Sequence, residues 1–423
     1  MESSQRWLWA LLANVAFAQA SIYVMRPMIT YRILENGASG FSIGLIAAIY
    51  ALVPLLIAVQ MGRWVGKIGE APLLLAGAFS FVILGISFAF LNNIVAIAST
   101  TALAGVAHLT NVAASQSMVA SRSPHELQDQ NFGYFSFSAS LGHTVGPLLG
   151  GIIAGSSGVL PRSSTSAFIF ASILAMCAIA PFFFFKGLNQ ARSKAEREAA
   201  ASIRARSVIQ RPGIKPAIWT SLTVAATNDV LVVILPLVGT ELGISPVVIG
   251  AILSLRSGAA MISRFSLGRL TKRFGSANVM NISIFASALF LFSSIFATTS
   301  VTLGIVMAII GFLLGIGQPL TMSIVSKKTP VEERAMAISI RLLGNRLGQF
   351  LVPLGAGALA APFGGGAVFV GLAALIASAG VVRWFNYLMK LASFEWSNPK
   401  LRLWQLQSTV DTESEVFQPA TML

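Results

Sequence analysis

One acid stands where an acid is expensive. Of the fifteen Asp and Glu residues in the sequence, Asp229 alone falls well inside an apolar stretch, fifteen residues after Ile214, or about 22 Å along a helix. An ionised side chain in the middle of hydrocarbon costs roughly 2.5–3.5 kcal/mol and asks for a partner or for water. Desolvation raises a carboxyl pKa and a neighbouring guanidinium lowers it, so such a group can gain and lose a proton as its surroundings change. Asp229 is therefore the first candidate for proton coupling; a permanent pair with an arginine and a solvated cavity wall are its other readings. His108 is the one ionisable side chain of its own apolar run. An imidazole titrates near neutrality, so His108 is a second proton-coupling candidate, against a hydrogen-bonded structural histidine. Asn111, one turn further on, could join either arrangement.

The cations inside apolar runs outnumber the acid. Arg26, Arg256, Arg341 and Arg346 all fall within such runs, while Arg264 and Arg383 lie near enough to one end to snorkel. One aspartate cannot balance four guanidiniums. Either some of them bond helix-end carbonyls or facing helices as gate locks, or their field favours an anionic or zwitterionic substrate such as a carboxylate-bearing metabolite or siderophore. Gln19, Asn228 and Gln318 add uncharged polar groups in the same runs. Three histidines supply no metal cluster and no catalytic triad. Gly62–Lys67 is one residue short of a P-loop, with Ile68 where a magnesium-binding Ser or Thr would stand. No enzyme, cofactor or metal is expected, and Cys177 is read as inert.

Such residues must be held by elements that suit an apolar medium. Of 423 residues, 55% are hydrophobic and 10% charged, where a soluble chain would carry about 25% charged. The mean hydropathy is +0.77. This excludes a soluble enzyme, a disulfide-rich secreted scaffold and a disordered tail protein. The net charge of +14 would suit nucleic acid only if it clustered on a water-facing domain; instead the basic residues sit in short gaps between apolar runs, so no nucleic-acid partner is expected. A bilayer core about 30 Å thick takes roughly 20 apolar residues per helix. Twelve segments qualify: 7–31, 41–61, 71–91, 94–120, 130–155, 165–185, 214–238, 246–267, 277–297, 301–326, 334–361 and 365–388. In lipid they must be helical, because free backbone groups have no water to bond. The first is too long for a cleaved leader.

Lys and Arg orient the chain. With the N-terminus inside, Arg6, Arg63, Lys67, Arg122, Arg269, Lys272, Arg273, Lys327 and Lys328 fall on the cytoplasmic side, and little beyond Arg32 and Arg162 falls outside. Both termini are expected in the cytoplasm of a cell with a multi-pass inner membrane protein of this kind. The expected organisation is an N-terminal bundle over 1–185, a basic linker over 186–213, a C-terminal bundle over 214–390 and a polar tail over 391–423.

The halves repeat at an offset of 206. Glu35, Gly37, Ile43 and Gly44 map to Glu241, Gly243, Ile249 and Gly250. Gly62, Arg63, Lys67 and Gly69 map to Gly268, Arg269, Arg273 and Gly275, while Gly142, Pro147 and Gly151 map to Gly348, Pro353 and Gly357. Chance matching of apolar runs would align Leu and Ala, not glycines and prolines in one register. Two six-helix halves related by an axis along the membrane normal follow. The copies at 62–69 and 268–275 are read as tight cytoplasmic turns whose glycines can take positive φ.

These features resemble the major facilitator superfamily, over roughly 7–390. The segment Gly62–Gly69 is similar to its GxxxDRxG loop motif, with two departures: Gly66 replaces the usual acid, and Glu70 stands where a basic residue is common, so the cytoplasmic charge lock is absent or built differently. Gly133, Gly142, Gly146-Pro147 and Gly150-Gly151 match the helix 5 antiporter motif of the twelve-helix drug:proton branch. Read by themselves, Gly142, Gly146 and Gly150 make a smooth stripe for close helix approach, and Pro147 removes the amide that would bond the His143 carbonyl. A rigid packing seam is the plainer reading of the same residues. The branch's usual fourth-helix arginine is missing here. In the family, helices 1, 4, 7 and 10 line the cavity, so Arg26, Asn111, Asn228 and Gln318 become candidate substrate contacts; Arg256 and Arg341, in helices 8 and 11, join them as cations whose field would favour an anion.

The resemblance implies an all-α membrane protein of twelve transmembrane helices in two pseudo-symmetric six-helix bundles. It implies proton-coupled efflux of a small organic molecule by alternating access, drug-like or anionic, with protonation of Asp229 loosening a cationic partner at the gate. The alternative is a proton symporter or facilitator importing an organic anion. Partners are the substrate, protons and lipid, and the chain is expected to work as a monomer.

Overall fold

A computed structural model describes residues 6–124, 127–185 and 208–397. Among the described residues there are twelve long helices: α1 Arg6–Glu35, α2 Gly40–Ile68, α3 Glu70–Phe90, α4 Ile94–Arg122, α5 Gln128–Ala154, α6 Ser164–Ile179, α7 Ile214–Glu241, α8 Pro246–Phe274, α9 Ser276–Ser293, α10 Ser300–Lys328, α11 Val331–Phe363 and α12 Gly365–Ser397. Short 3₁₀ turns extend α6 and α9 over Ala180–Phe185 and Ser294–Phe296. Among the described residues, eleven stretches are long and apolar enough to cross a membrane. The helix outside that set is α11, where Arg341, Asn345, Arg346 and Gln349 dilute the apolar run. Leu56, Phe90, Phe265 and Val301 point outward from the bundle, as side chains facing lipid must. The chain is a multi-pass membrane protein.

Local chemistry starts the helices. The Asn93 side chain accepts from the Val95 and Ala96 amides ahead of α4. Thr299 and Thr302 form a reciprocal capping box ahead of α10, which satisfies amides that no helical carbonyl reaches. Acids at the ends of the first helix of each half do related work. Glu35 accepts from the Ser164 hydroxyl at the start of α6 at 3.0 Å. Its repeat mate Glu241 accepts from the Gly365 amide at the start of α12 at 2.9 Å, where an anion suits the helix dipole.

The two basic glycine motifs require a correction. Gly62 to Ile68 and Gly268 to Phe274 are not turns but the last helical turns of α2 and α8. Only Gly69 and Gly275 leave the helix, with φ of 94° and 79°. Gly62 and Gly268 have open space around them, so nothing forces a bend there, and each helix continues until its last glycine reverses the chain. Arg63, Lys67, Arg269 and Arg273 stand exposed on those helix ends. Glu70, the unexpected acid, is 3% exposed and accepts from the Ser117 and Ser121 hydroxyls of α4 at 3.1 Å each. Its partners therefore lie inside its own half.

The sequence repeat becomes a packing repeat. In the first half α1 packs on α5 and α6, α2 on α4, and α3 on α4 and α6; in the second α7 packs on α11 and α12, α8 on α10, and α9 on α10 and α12. The halves meet along two seams, α2 against α11 and α5 against α8. These seams are repeat images of each other. Gly44 lies on the backbone of Pro353 and Gly357, and Gly250 lies on that of Pro147 and Gly151. Both are at the end of the bundle that carries Glu35 and Glu241, called distal below. Toward the other end, α4 and α5 do not pack extensively on α10 or α11. The closest backbone approaches between the bundles are thus distal, while Phe137 and Phe265 meet across α5 and α8 toward the other end.

Of the expected linker, 186–207 lie outside the described residues, while Val208 is buried with Ile214, Ala217, Val325 and Ala337. Helix α12 runs on to Ser397, beyond the expected end of the last span, and 398–423 lie outside the described residues.

The glycine stripe of α5 gives a testable contrast. A Cβ on Gly142 would stand 2.6 Å from the Gln19 side chain and 2.7 Å from α1 backbone atoms, whereas Gly62 is helical and open. Gly142→Ala should lower the thermal midpoint of the purified protein, by about 1–3 kcal/mol of overpacking. Gly62→Ala should leave it unchanged or raise it by about 0.5–1 kcal/mol. Equal midpoints for the two variants would contradict this packing.

Candidate functional site

The lone intramembrane acid finds its partner across the interface between halves. Asp229 on α7 accepts from Arg26 Nη1 on α1 at 2.8 Å, and Arg26 Nη2 reaches the Asp229 carbonyl at 3.4 Å. The side chains are 6% and 15% exposed. One turn beyond Arg26, the Thr30 hydroxyl donates to the Val233 carbonyl at 3.1 Å, so α1 and α7 are tied at two successive levels. An ion pair this far from water is held mainly by geometry, since desolvation cancels much of its Coulomb energy.

Arg26 also closes a ring of first-half side chains. Its guanidinium carbon lies 4.9 Å from the Tyr50 ring centroid and 5.9 Å from that of Tyr23, within cation–π range. The Tyr50 hydroxyl is 2.6 Å from His108 Nδ1. His108 Nε2 and His143 Nε2 lie 3.2 and 3.1 Å from the same atom, Gln19 Oε1, and His143 stacks on Tyr23 with centroids 3.9 Å apart. An amide oxygen only accepts, so both Nε2 atoms donate to Gln19, and His108 Nδ1 accepts a hydrogen bond from the Tyr50 hydroxyl. The ring is satisfied with both imidazoles neutral, and no carboxylate among the described residues touches either. Beside it, Ile29, Ile33, Ile43, Ile46 and Val233 line a narrow apolar cleft that Arg26 and Tyr50 close at one side.

The remaining candidates separate into different neighbourhoods. Asn111 does not join His108: it is 1% exposed and donates to Asn14 Oδ1 at 3.2 Å, while Asn14 donates to the Ala178 carbonyl. It lies between α1 and α3 of its own half, bonded to Asn14 and packed against Gly77. Asn228 holds Arg256, accepting from Nη1 at 2.7 Å. Gln318 and Arg341 meet each other at 2.9 Å together with Ser221 and Asn345. Arg346 donates to Gln349. Arg264 bonds Ser140, binding α8 to α5. Among the described residues, none of Arg256, Arg264, Arg341 and Arg346 has a carboxylate within 4.0 Å; Arg26–Asp229 and Arg32–Glu35 are the ion pairs.

Of the helix 5 glycines, Gly142, Gly146 and Gly150 face α1, and Gly151 faces Pro246 of α8, but Gly133 faces open space. The Pro147 gap is used by the other half: the Leu148 amide donates to the Ser254 hydroxyl of α8 at 3.0 Å. Tyr23, Tyr50, His143, Ser221 and Asn345 are site residues that sequence reasoning did not single out. His143, between two motif glycines, carried a readable signal in its residue type; the tyrosines and Ser221 carried none.

The family model of the Major Facilitator Superfamily matches residues 11–228 and again 217–407. The multidrug resistance protein MdtG of Salmonella arizonae is 25% identical over 394 residues, spanning 89% of this chain and 93% of that protein, and the Salmonella paratyphi A protein of the same name matches to the same extent. Among solved structures, a D-xylose-proton symporter superposes with a TM-score of 0.73 at 14% identity, covering 90% of this chain and 97% of that one. The nucleoside transporter NupG gives 0.69 at 14% identity over 92% and 99%.

The cross-half ion pair makes a stability prediction. Arg26→Gln leaves a buried carboxylate without its partner and should cost about 3–5 kcal/mol. Adding Asp229→Asn should restore most of that loss. Thermal unfolding of the single and double variants measures both, and additive losses would argue that the two groups do not interact.

Proposed function

The chain belongs to the major facilitator superfamily of transporters, and on that footing we propose that it exports a small organic molecule across the cytoplasmic membrane in exchange for protons, with Asp229 as the proton carrier. The observation that carries this reading is the Arg26–Asp229 bridge: the lone acid well inside a span is bonded across the two halves, beside the distal seams. In the positive-inside orientation the distal end is the outer one, and the close glycine contacts there support a state closed to the outside. When the halves part there, Asp229 loses Arg26 and a carboxylate facing outer water takes a proton. When they close, the arriving guanidinium bonds the carboxylate rather than the acid, and the proton leaves toward the inner side. Each closure thus carries a proton inward. Reopening must break the bridge, and bound substrate supplies the compensating interactions. His108 contributes hydrogen bonding that orients Tyr50 under Arg26, and proton carriage is assigned to Asp229.

Export is supported by the helix 5 glycine motif and by the resemblance to proteins named for multidrug resistance. A second reading, proton symport or facilitated import of an organic anion, is favoured by the buried arginines that have no carboxylate partner among the described residues. The direction of proton movement separates them: substrate added on the inner side stimulates proton uptake into that compartment in an exporter, and co-movement with substrate in a symporter.

In proteoliposomes with an imposed pH gradient, screened against a panel of anionic and cationic dyes, Asp229→Asn is expected to abolish gradient-driven transport while sparing substrate exchange. Full gradient-driven transport by that variant would overturn the proposal.

A further inference from the structure

The strongest unused feature lies in the second half, where α7, α10 and α11 meet. Arg341 is 5% exposed, Asn345 8% and Ser221 fully buried, while Gln318 is half-buried. Arg341 spends one nitrogen on this cluster: Nη1 donates to Ser221 Oγ at 2.8 Å and to Gln318 Oε1 at 2.9 Å. Ser221 Oγ is also 2.8 Å from Asn345 Oδ1, Asn345 Nδ2 donates to Gln318 Oε1 at 3.2 Å, and Gln318 Nε2 donates to the Ser221 carbonyl at 2.9 Å. Every acceptor in the cluster is neutral and already engaged. Arg341 Nε is buried and has no acceptor among the described residues.

Nε and Nη2 form one edge of a guanidinium, with parallel N–H bonds at the spacing of two carboxylate oxygens. On Arg341 that edge donates no hydrogen bond to the described residues, and the charge is not neutralised by any acid of theirs within 4.0 Å. Arg256 also has an unpartnered Nε, but it lies in the field of Asp229 and lacks a comparable convergence of side chains. A buried cation held from one side by Ser221, Gln318 and Asn345, with its forked edge left over, is the arrangement that a small oxyanion completes.

We propose that Arg341, oriented by Ser221, Gln318 and Asn345, is a carboxylate-binding subsite, and that the transported molecules include small organic carboxylates anchored there by a bidentate bond to the Nε–Nη2 edge. This rests on the reading of the chain as a transporter of small organic molecules and names a substrate class for it. It also separates the tasks of the two halves: the carboxylate is held by the second half alone, whereas the proton site spans both.

Binding to the purified full-length protein in nanodiscs tests this without transport. Benzoate, 1-naphthoate and indole-3-acetate are each titrated against the matching uncharged amide, by calorimetry and by the shift in thermal midpoint. At least one carboxylate is expected to bind tenfold or more tightly than its amide. Arg341→Lys keeps the charge but loses the planar fork, and should weaken that carboxylate tenfold or more and shrink its preference over the amide. Equal binding of acid and amide across all three pairs, which needs no variant, would overturn the proposal. So would loss of carboxylate preference in Arg256→Lys but not in Arg341→Lys. Carboxylate binding without gradient-driven transport in liposomes would support this subsite and remove the exporter reading. Gradient-driven transport with no carboxylate preference would do the reverse.

Discussion

A charge in hydrocarbon must be answered by another group, and most of the specific architecture of this protein can be traced to how each charge is answered. Arg26 and Asp229 answer each other across the two halves. Arg32 is surrounded by Glu35, Ser164, Thr165 and the Leu91 carbonyl, which gathers the ends of α1, α3 and α6. Glu70 is answered by two serine hydroxyls of α4. Where the answer is another charge, two helices far apart in sequence are fixed at one level. Where it is neutral and incomplete, as at Arg341, one edge of the guanidinium is left without an acceptor among the described residues.

The seams between halves obey a different constraint. Helices do not gain from the hydrophobic effect in lipid, so close approach depends on small residues and van der Waals contact. Gly44 against Pro353 and Gly357, and Gly250 against Pro147 and Gly151, bring backbones together at two repeat-related places. Pro147 leaves the His143 carbonyl without a helical amide, and the adjoining Leu148 amide donates to Ser254 of α8. At these glycine contacts the seams are uncharged, and further along the α5–α8 seam Arg264 adds a bond to Ser140. The bridge at Arg26–Asp229 adds to those seams a charged contact between the halves.

Much of this was legible in the chain itself. The 206-residue offset paired Gly44 with Gly250 and Pro147 with Pro353, and the structure makes those pairs equivalent contacts. The basic glycine motifs were less legible: a glycine within a basic segment reads as a turn, yet Gly62 and Gly268 remain helical because the hydrogen-bonded ladder continues until a residue with positive φ ends it. Asn111 shows the same limit. It lies one turn from His108, but a small helix rotation places the two side chains in separate environments.

Length, apolar content and the repeat, which the sequence alone determined, depend on local properties: the bilayer sets how many apolar residues a helix needs, and duplication preserves register. The partner of Asp229 lies 203 residues away, and four arginines were available to it by composition. The meeting of Ser221, Gln318, Arg341 and Asn345 is likewise a matter of how three helices are rotated about their axes. Those rotations are fixed by packing over the whole bundle, so only the tertiary structure decided which guanidinium is paired and which keeps a free edge.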